Sequence, residues 1–125
     1  MKKDIELFKK YIDNQMGPLL INDNMYDIVS SLGETLDAAC SLDDINYHYD
    51  GNNDIKPPQW YDRAKAKGLL IIRNIDSIPV KEQNKFVEII KYKKINEFKL
   101  NKCFVILTYT NKELSSEILS LAIKV

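Results

Sequence analysis

Gly68-Leu69-Leu70-Ile71-Ile72-Arg73-Asn74-Ile75-Asp76-Ser77-Ile78-Pro79 is the stretch on which the fold turns. Leu69 to Ile72 are apolar without a break. A strand with one wet face alternates apolar and polar residues, so an unbroken run predicts cover on both faces, as in a parallel sheet. In front of it, Trp60 to Lys67 predicts one or two helical turns that Gly68 ends. Behind it, Ser77-Ile78-Pro79-Val80 leads into a helix of about residues 80–94, with Phe86, Val87, Ile89 and Ile90 as its apolar stripe. Cys103-Phe104-Val105-Ile106-Leu107-Thr108 then predicts a second buried strand. Asn111 follows, and Leu114, Ile118 and Leu121 predict a last helix over residues 112–122.

Toward the N-terminus, Ile5, Phe8, Tyr11, Ile12 and Met16 recur at spacings of three and four, which is an amphipathic helix over residues 3–16. Gly17-Pro18 stops it. Leu19-Leu20-Ile21 predicts a short buried strand, and Asn22-Asp23-Asn24 a turn that supplies N-caps. Met25, Ile28, Val29, Leu32, Leu36 and Ala39 predict a helix over 25–39, with Gly33 inside it at a cost of about 1 kcal/mol relative to Ala. Residues 41–59 are polar and predict a loop, with a short strand near 45–49. Helices alternating with strands imply βαβ units. The expected fold class is therefore α/β: one domain over residues 1–125, a three-layer α/β/α sandwich with a mainly parallel sheet.

Composition bounds the function. The chain of 125 residues is 45% hydrophobic and 29% charged, an ordinary globular balance. Its 18 acidic and 18 basic residues cancel, so no overall field points to nucleic acid or membrane. They are unevenly spread: residues 1–54 hold 11 acidic and 4 basic side chains, and residues 55–125 hold 7 and 14. That pattern reads as two solvated faces of opposite sign or as a surface for a charged partner. No apolar run approaches the roughly 20 residues of a spanning helix, so no membrane association is expected. The charged start Met1-Lys2-Lys3-Asp4 predicts no signal peptide. Cys40 and Cys103 stand far apart without a CxxC and read as reduced thiols of a cytoplasmic chain.

Two segments together resemble the AAA+ ATPase family. Residues 68–79 resemble its Walker B strand, and Cys103-Phe104-Val105-Ile106-Leu107-Thr108-Tyr109-Thr110-Asn111 resembles the next strand with its sensor-1 polar residue. Pro57-Pro58-Gln59-Trp60-Tyr61-Asp62-Arg63-Ala64 is similar to the MoxR-like branch. Pro18-Leu19-Leu20-Ile21 and the 25–39 segment occupy the place of the P-loop strand and its helix. The resemblance implies a truncated P-loop NTPase-like core, and the departures from it bear on chemistry. A P-loop needs glycines whose N–H groups wrap phosphate, a Lys for the β/γ-phosphates and a Ser/Thr on Mg²⁺. Between Ile21 and Leu32 there is neither Gly nor Lys, and Asp23 and Asp27 would repel a triphosphate. The metal-binding Asp of Walker B falls on Arg73 and the catalytic Glu on Asn74. A cation opposes Mg²⁺, and an amide accepts no proton from water. Asp76 comes one turn too late for the metal. The resemblance thus implies a pseudo-ATPase core.

The remaining candidates are weaker. Asp23, Asp27, Asp37, Asp43, Asp44, Asp50 and Asp54 form a loose acidic set, and Asp50-Gly51-Asn52-Asn53-Asp54 lacks the Glu of a calcium loop. His48, between Tyr47 and Tyr49, has no Ser or Cys motif to serve. Cys103, inside an apolar strand, reads as an inert core thiol. Arg73 ends a strand where α/β folds place their sites, either as a site residue or paired with Asp23 or Asp76. Trp60 and Tyr61, with Pro57 and Pro58, read as a partner-binding anchor or as a plug on the sheet's edge. Lys81, Lys85, Lys91, Lys93, Lys94 and Lys99 offer a basic helix face, with Tyr92 alone among them to stack.

The expectation is a non-catalytic module that docks on a protein partner, an AAA+ ATPase or a replication or mobile-element protein, through Trp60, Tyr61, Arg73, Lys81, Lys85 and Lys91. No catalytic group, cofactor or metal is expected. The alternatives are a nucleic-acid-binding accessory domain that uses the 80–94 helix, and a small enzyme built on Asp23, Arg73, Asp76 and Asn111.

Overall fold

Five short strands form one sheet in which every pairing is parallel. The computed structural model describes residues 2–39, 48–49, 55–95, 98–100 and 103–125. The elements of the sheet are β1 (Leu19–Asn22), β2 (Glu34–Asp37), β5 (Leu69–Arg73), β8 (Phe104–Tyr109) and β9 (Ile123–Lys124), and they lie in the order β2-β5-β8-β1-β9. Two small antiparallel ribbons accompany it. One pairs β3 (His48–Tyr49) with β4 (Ile55–Lys56), the other β6 (Lys94–Ile95) with β7 (Phe98–Lys99).

The two apolar runs behave as their composition requires. In β5, Leu69 and Ile71 face one layer and Leu70 and Ile72 the other; in β8, Phe104 and Ile106 share a face opposite Val105 and Leu107. The first layer holds α1 (Lys2–Asp13) and α2 (Tyr26–Val29), through Phe8, Tyr11, Ile12 and Val29. The second holds α3 (Trp60–Lys67), α4 (Val80–Gln83), α5 (Val87–Tyr92) and α6 (Ser116–Leu121), with Trp60, Ala64, Ile89, Ile90 and Ile118 in its core. This is the expected three-layer α/β/α sandwich. Its layering follows from handedness. The β1→β2 crossover travels one way along the sheet, and the β2→β5→β8→β9 crossovers travel the other. Right-handed connections must then pass over opposite faces.

Three expectations are corrected. The 25–39 helix is only α2, framed by 3₁₀ turns at Asp23–Met25 and Ser30–Leu32; after Gly33 the chain becomes β2. Pairing with β5, which places Leu36 opposite Ile72, outweighs the helical period. Gly33 permits the approach. Its backbone is extended (φ −156°), but a Cβ there would run into the Leu69 carbonyl oxygen and side chain. Gly33→Ala is therefore expected to cost about 1–3 kcal/mol by crowding alone, measured as a lower urea midpoint with an unchanged m-value. The 80–94 helix is α4, a 3₁₀ turn at Asn84–Phe86, and α5; Lys93 at φ 52° ends it, and Lys94 begins β6. The last helix starts at Ser116 because the amides before it are engaged elsewhere: Lys112 N–H donates to Asp76 and Ser115 N–H to Gln83. Beyond that helix, β9 pairs Ile123 with Leu19 at the sheet's edge. Of the strand expected near 45–49, the described part is β3; Tyr47 and the acidic loop residues Asp43, Asp44, Asp50 and Asp54, like Cys40, lie outside the described residues.

Candidate functional site

A parallel sheet aims the carboxyl ends of its strands at one rim. Ligands bind there where neighbouring strands send their connections to opposite faces. In this sheet that point lies between β1 and β8, with the end of β5 beside it. Asp23 follows β1, Thr108 lies near the end of β8, and Arg73 closes β5.

These three side chains bond to one another. Arg73 donates from Nε to Asp23 Oδ1 (3.1 Å) and from Nη2 to Asp23 Oδ2 (3.2 Å). Thr108 Oγ1 donates to Asp23 Oδ1 at 2.7 Å and accepts the Asn74 N–H at 2.8 Å. The guanidinium carbon of Arg73 lies 3.8 Å from the centre of the Tyr26 ring, a stacked cation–π contact. Tyr26 is itself held by a 2.6 Å hydrogen bond between its hydroxyl and Thr35. The bond to Asp23 raises the Arg73 pKa above its ordinary value against the effect of burial, with smaller help from the charges of Asp23, Tyr26 and Asp27. Such bidentate charged pairs are the stronger class of hydrogen bond.

The turn after β1 is closed in the same way. Asn22 Oδ1 accepts the Asn24 N–H at 3.0 Å, and the Tyr26 N–H bonds the Asp23 carbonyl within the 3₁₀ turn. A phosphate cradle needs such N–H groups pointing outward and unpaired.

A second cluster ties down the loop after β8. Asp76, 3% exposed, accepts the Thr110 N–H (2.8 Å to Oδ2), the Thr110 hydroxyl (3.1 Å) and the Lys112 N–H (2.8 Å). Gln83, fully buried, donates to the carbonyls of Ile78 and Glu113 and accepts from Ser115 N–H at 2.7 Å. Asn111 in this loop has φ 67°, and Asn74 in the neighbouring one has φ 57°. The Asn74 side-chain oxygen is buried without a partner among the described residues.

The sequence-predicted residues divide accordingly. Arg73 is brought to Asp23, one of its two expected partners, and is engaged rather than presented, although 37% of its side chain is exposed. Asp76 and Asn111 stand on the same rim, where Asp76 bonds Thr110 and Lys112 of the loop after β8 while Arg73 bonds Asp23. Trp60 (4% exposed) and Tyr61 (7%) are not a surface anchor: Trp60 is core, and Tyr61 packs edge-on against Phe98 at 5.8 Å. Of the two expected roles, burial matches the plug. Lys81 and Lys91 are exposed and Lys85 half-buried, along a helical run that tightens to a 3₁₀ turn at Asn84–Phe86. Cys103 is a buried free thiol that donates to the Ala64 carbonyl; burial pushes its pKa up against the opposing charges of Lys93 and Lys65. His48 lies in β3. No group of described residues gathers three metal-ligating side chains, and no described helix is long and apolar enough to cross a membrane. Thr108, Tyr26, Gln83 and Ser115 were not singled out from the sequence. For Thr108 the signal was there: a polar residue ending an otherwise apolar buried strand.

Comparison with known protein families, curated proteins and solved structures finds no match for this chain.

Proposed function

We infer that this chain is a non-catalytic binding module on a nucleotide-hydrolase-like scaffold whose nucleotide site is filled by its own side chains. The observation that carries this reading is the Arg73–Asp23–Thr108 assembly at the switch point between β1 and β8. A triphosphate with Mg²⁺ needs free backbone donors and a carboxylate for the metal. Here the carboxylate is held by a guanidinium and a hydroxyl, and the turn's amide is capped by Asn22. Both Asp23 oxygens already accept hydrogen bonds from side chains of this chain. The AAA+ resemblance of the β5 and β8 segments supports a role beside a genuine ATPase or a replication or mobile-element protein as docking partner. The buried free thiol Cys103 fits a reducing cytoplasm.

Nucleotide linkage tests the reading. A ligand at 100 times its Kd stabilises a fold by about 2.7 kcal/mol. Millimolar Mg-ATP or Mg-ADP is expected to leave the thermal midpoint where it is and to release no phosphate. A dose-dependent rise in the midpoint, or turnover above the buffer blank, refutes the proposal.

A further inference from the structure

At the end of the sheet remote from the Arg73–Asp23 pair, the chain between α5 and β8 carries a run of lysines. Residues 91–102 hold five Lys and one Glu. Of this run the described residues, 91–95 and 98–100, take a definite shape. Ile95 and Leu100 are buried, and Phe98 packs on the core and against the Tyr61 ring. The Tyr61 hydroxyl donates to the Lys99 carbonyl at 2.5 Å, and Leu100 N–H bonds the Lys93 carbonyl at 2.6 Å. The β6–β7 ribbon is thus fixed to α3 by its apolar face, and alternation turns Lys94 and Lys99 to the other.

Lys94 and Lys99 are direct cross-strand partners. Like charges at such positions repel. Among the described residues no carboxylate forms an ion pair with Lys91, Lys94 or Lys99. Beside them stands Tyr92, 60% exposed, the most exposed large apolar side chain described. Lys91 Nζ lies 5.3 Å and Lys94 Nζ 5.9 Å from its ring centre. Lys65 on α3 reaches the Tyr61 ring at 5.1 Å and adds a cation at the same end.

We propose that the surface formed by Tyr92, Lys91, Lys94 and Lys99 binds single-stranded nucleic acid, with a base stacked on Tyr92 and phosphates on the lysines. A bare ring between ammonium groups matches the alternating chemistry of a single strand, in which a flat base accompanies each negative phosphate. An acidic peptide would satisfy the lysines and leave the ring unused. A duplex hides its base faces. The surface lies away from the filled rim, so the proposal stands independently of the nucleotide reading.

The test is fluorescence anisotropy with a labelled oligothymidylate, a duplex of equal length and polyglutamate as competitor. The single strand is expected to bind more tightly than the duplex and to resist polyglutamate. Its affinity should fall with salt at a log–log slope of about −2, the value for three phosphates on a single strand. Tyr92→Ala is expected to weaken binding about tenfold, and Tyr92→Phe to restore it. Lys94→Glu with Lys99→Glu should abolish it, as should Lys91→Glu with Lys94→Glu if the ribbon tolerates the first pair poorly. Absence of single-strand binding at low salt overturns the proposal. So does indifference to Tyr92→Ala, or equal binding of duplex or polyglutamate.

Discussion

Trp60→Ala is expected to destabilise the fold by about 3–5 kcal/mol, the range for emptying a buried aromatic site. Trp60 starts α3 and lies in the core cluster with Leu36, Leu70, Ile72 and Ile95, at 4% exposure. Removal of the indole leaves a cavity between α3 and the face of the sheet that carries Leu36, Leu70 and Ile72. For a domain of this size the thermal midpoint should fall by roughly 10–15 °C, with the far-ultraviolet spectrum retained below it. Equilibrium urea unfolding of wild type and variant measures the difference directly. A loss under 1 kcal/mol would place Trp60 at the surface and reopen its role as an anchor for a partner. The same expectation governs interaction assays: any binding lost on Trp60→Ala must first be separated from lost folding.

A loss of about 3 kcal/mol is expected for Asp76→Ala. The carboxylate takes two backbone N–H groups and a hydroxyl from the loop after β8. Truncation strands those donors beside a buried site, and each donor left without a partner costs about 1–3 kcal/mol, less where water reaches it. Asp76→Asn keeps the size and one oxygen but presents an NH₂ group to N–H donors, so it should recover only part of the loss. The readout that marks this mechanism is local. Hydrogen exchange at Thr110 and Lys112 should speed up in both variants well before the β5 and β8 amides do. Uniform acceleration across the sheet would mean instead that Asp76 acts through global stability alone.

Much of the architecture was legible in the chain. The runs Leu69–Ile72 and Cys103–Leu107 had to be central strands, because a continuous apolar run can be satisfied only with both faces covered. They are β5 and β8, neighbours inside the five-stranded sheet, with β2 on one side of the pair and β1 on the other. The make-up of the first turn is legible too: Asn22-Asp23-Asn24 carries neither glycine nor lysine. What was misread is local and has one cause. Residues 34–37 are a strand whose identity comes from pairing with β5; Glu34-Thr35-Leu36-Asp37 lacks the unbroken apolar run that announces the equally short β1. Trp60 and Tyr61 were ambiguous for a related reason, because an aromatic cluster in a polar stretch has the same letters whether it is covered or bare.

The sequence by itself determined the layers, the parallel sheet and the chemical poverty of the first turn, since these rest on residue type and on periods that each segment carries alone. Only the tertiary structure decided that Arg73 closes on Asp23 fifty positions away with Thr108 on the same carboxylate, that Asp76 tethers a loop, and that Lys94 and Lys99 stand side by side next to a bare tyrosine. Those are relations between segments distant in the chain or turned toward each other by pairing, and crossover handedness and strand register, not local composition, bring them together.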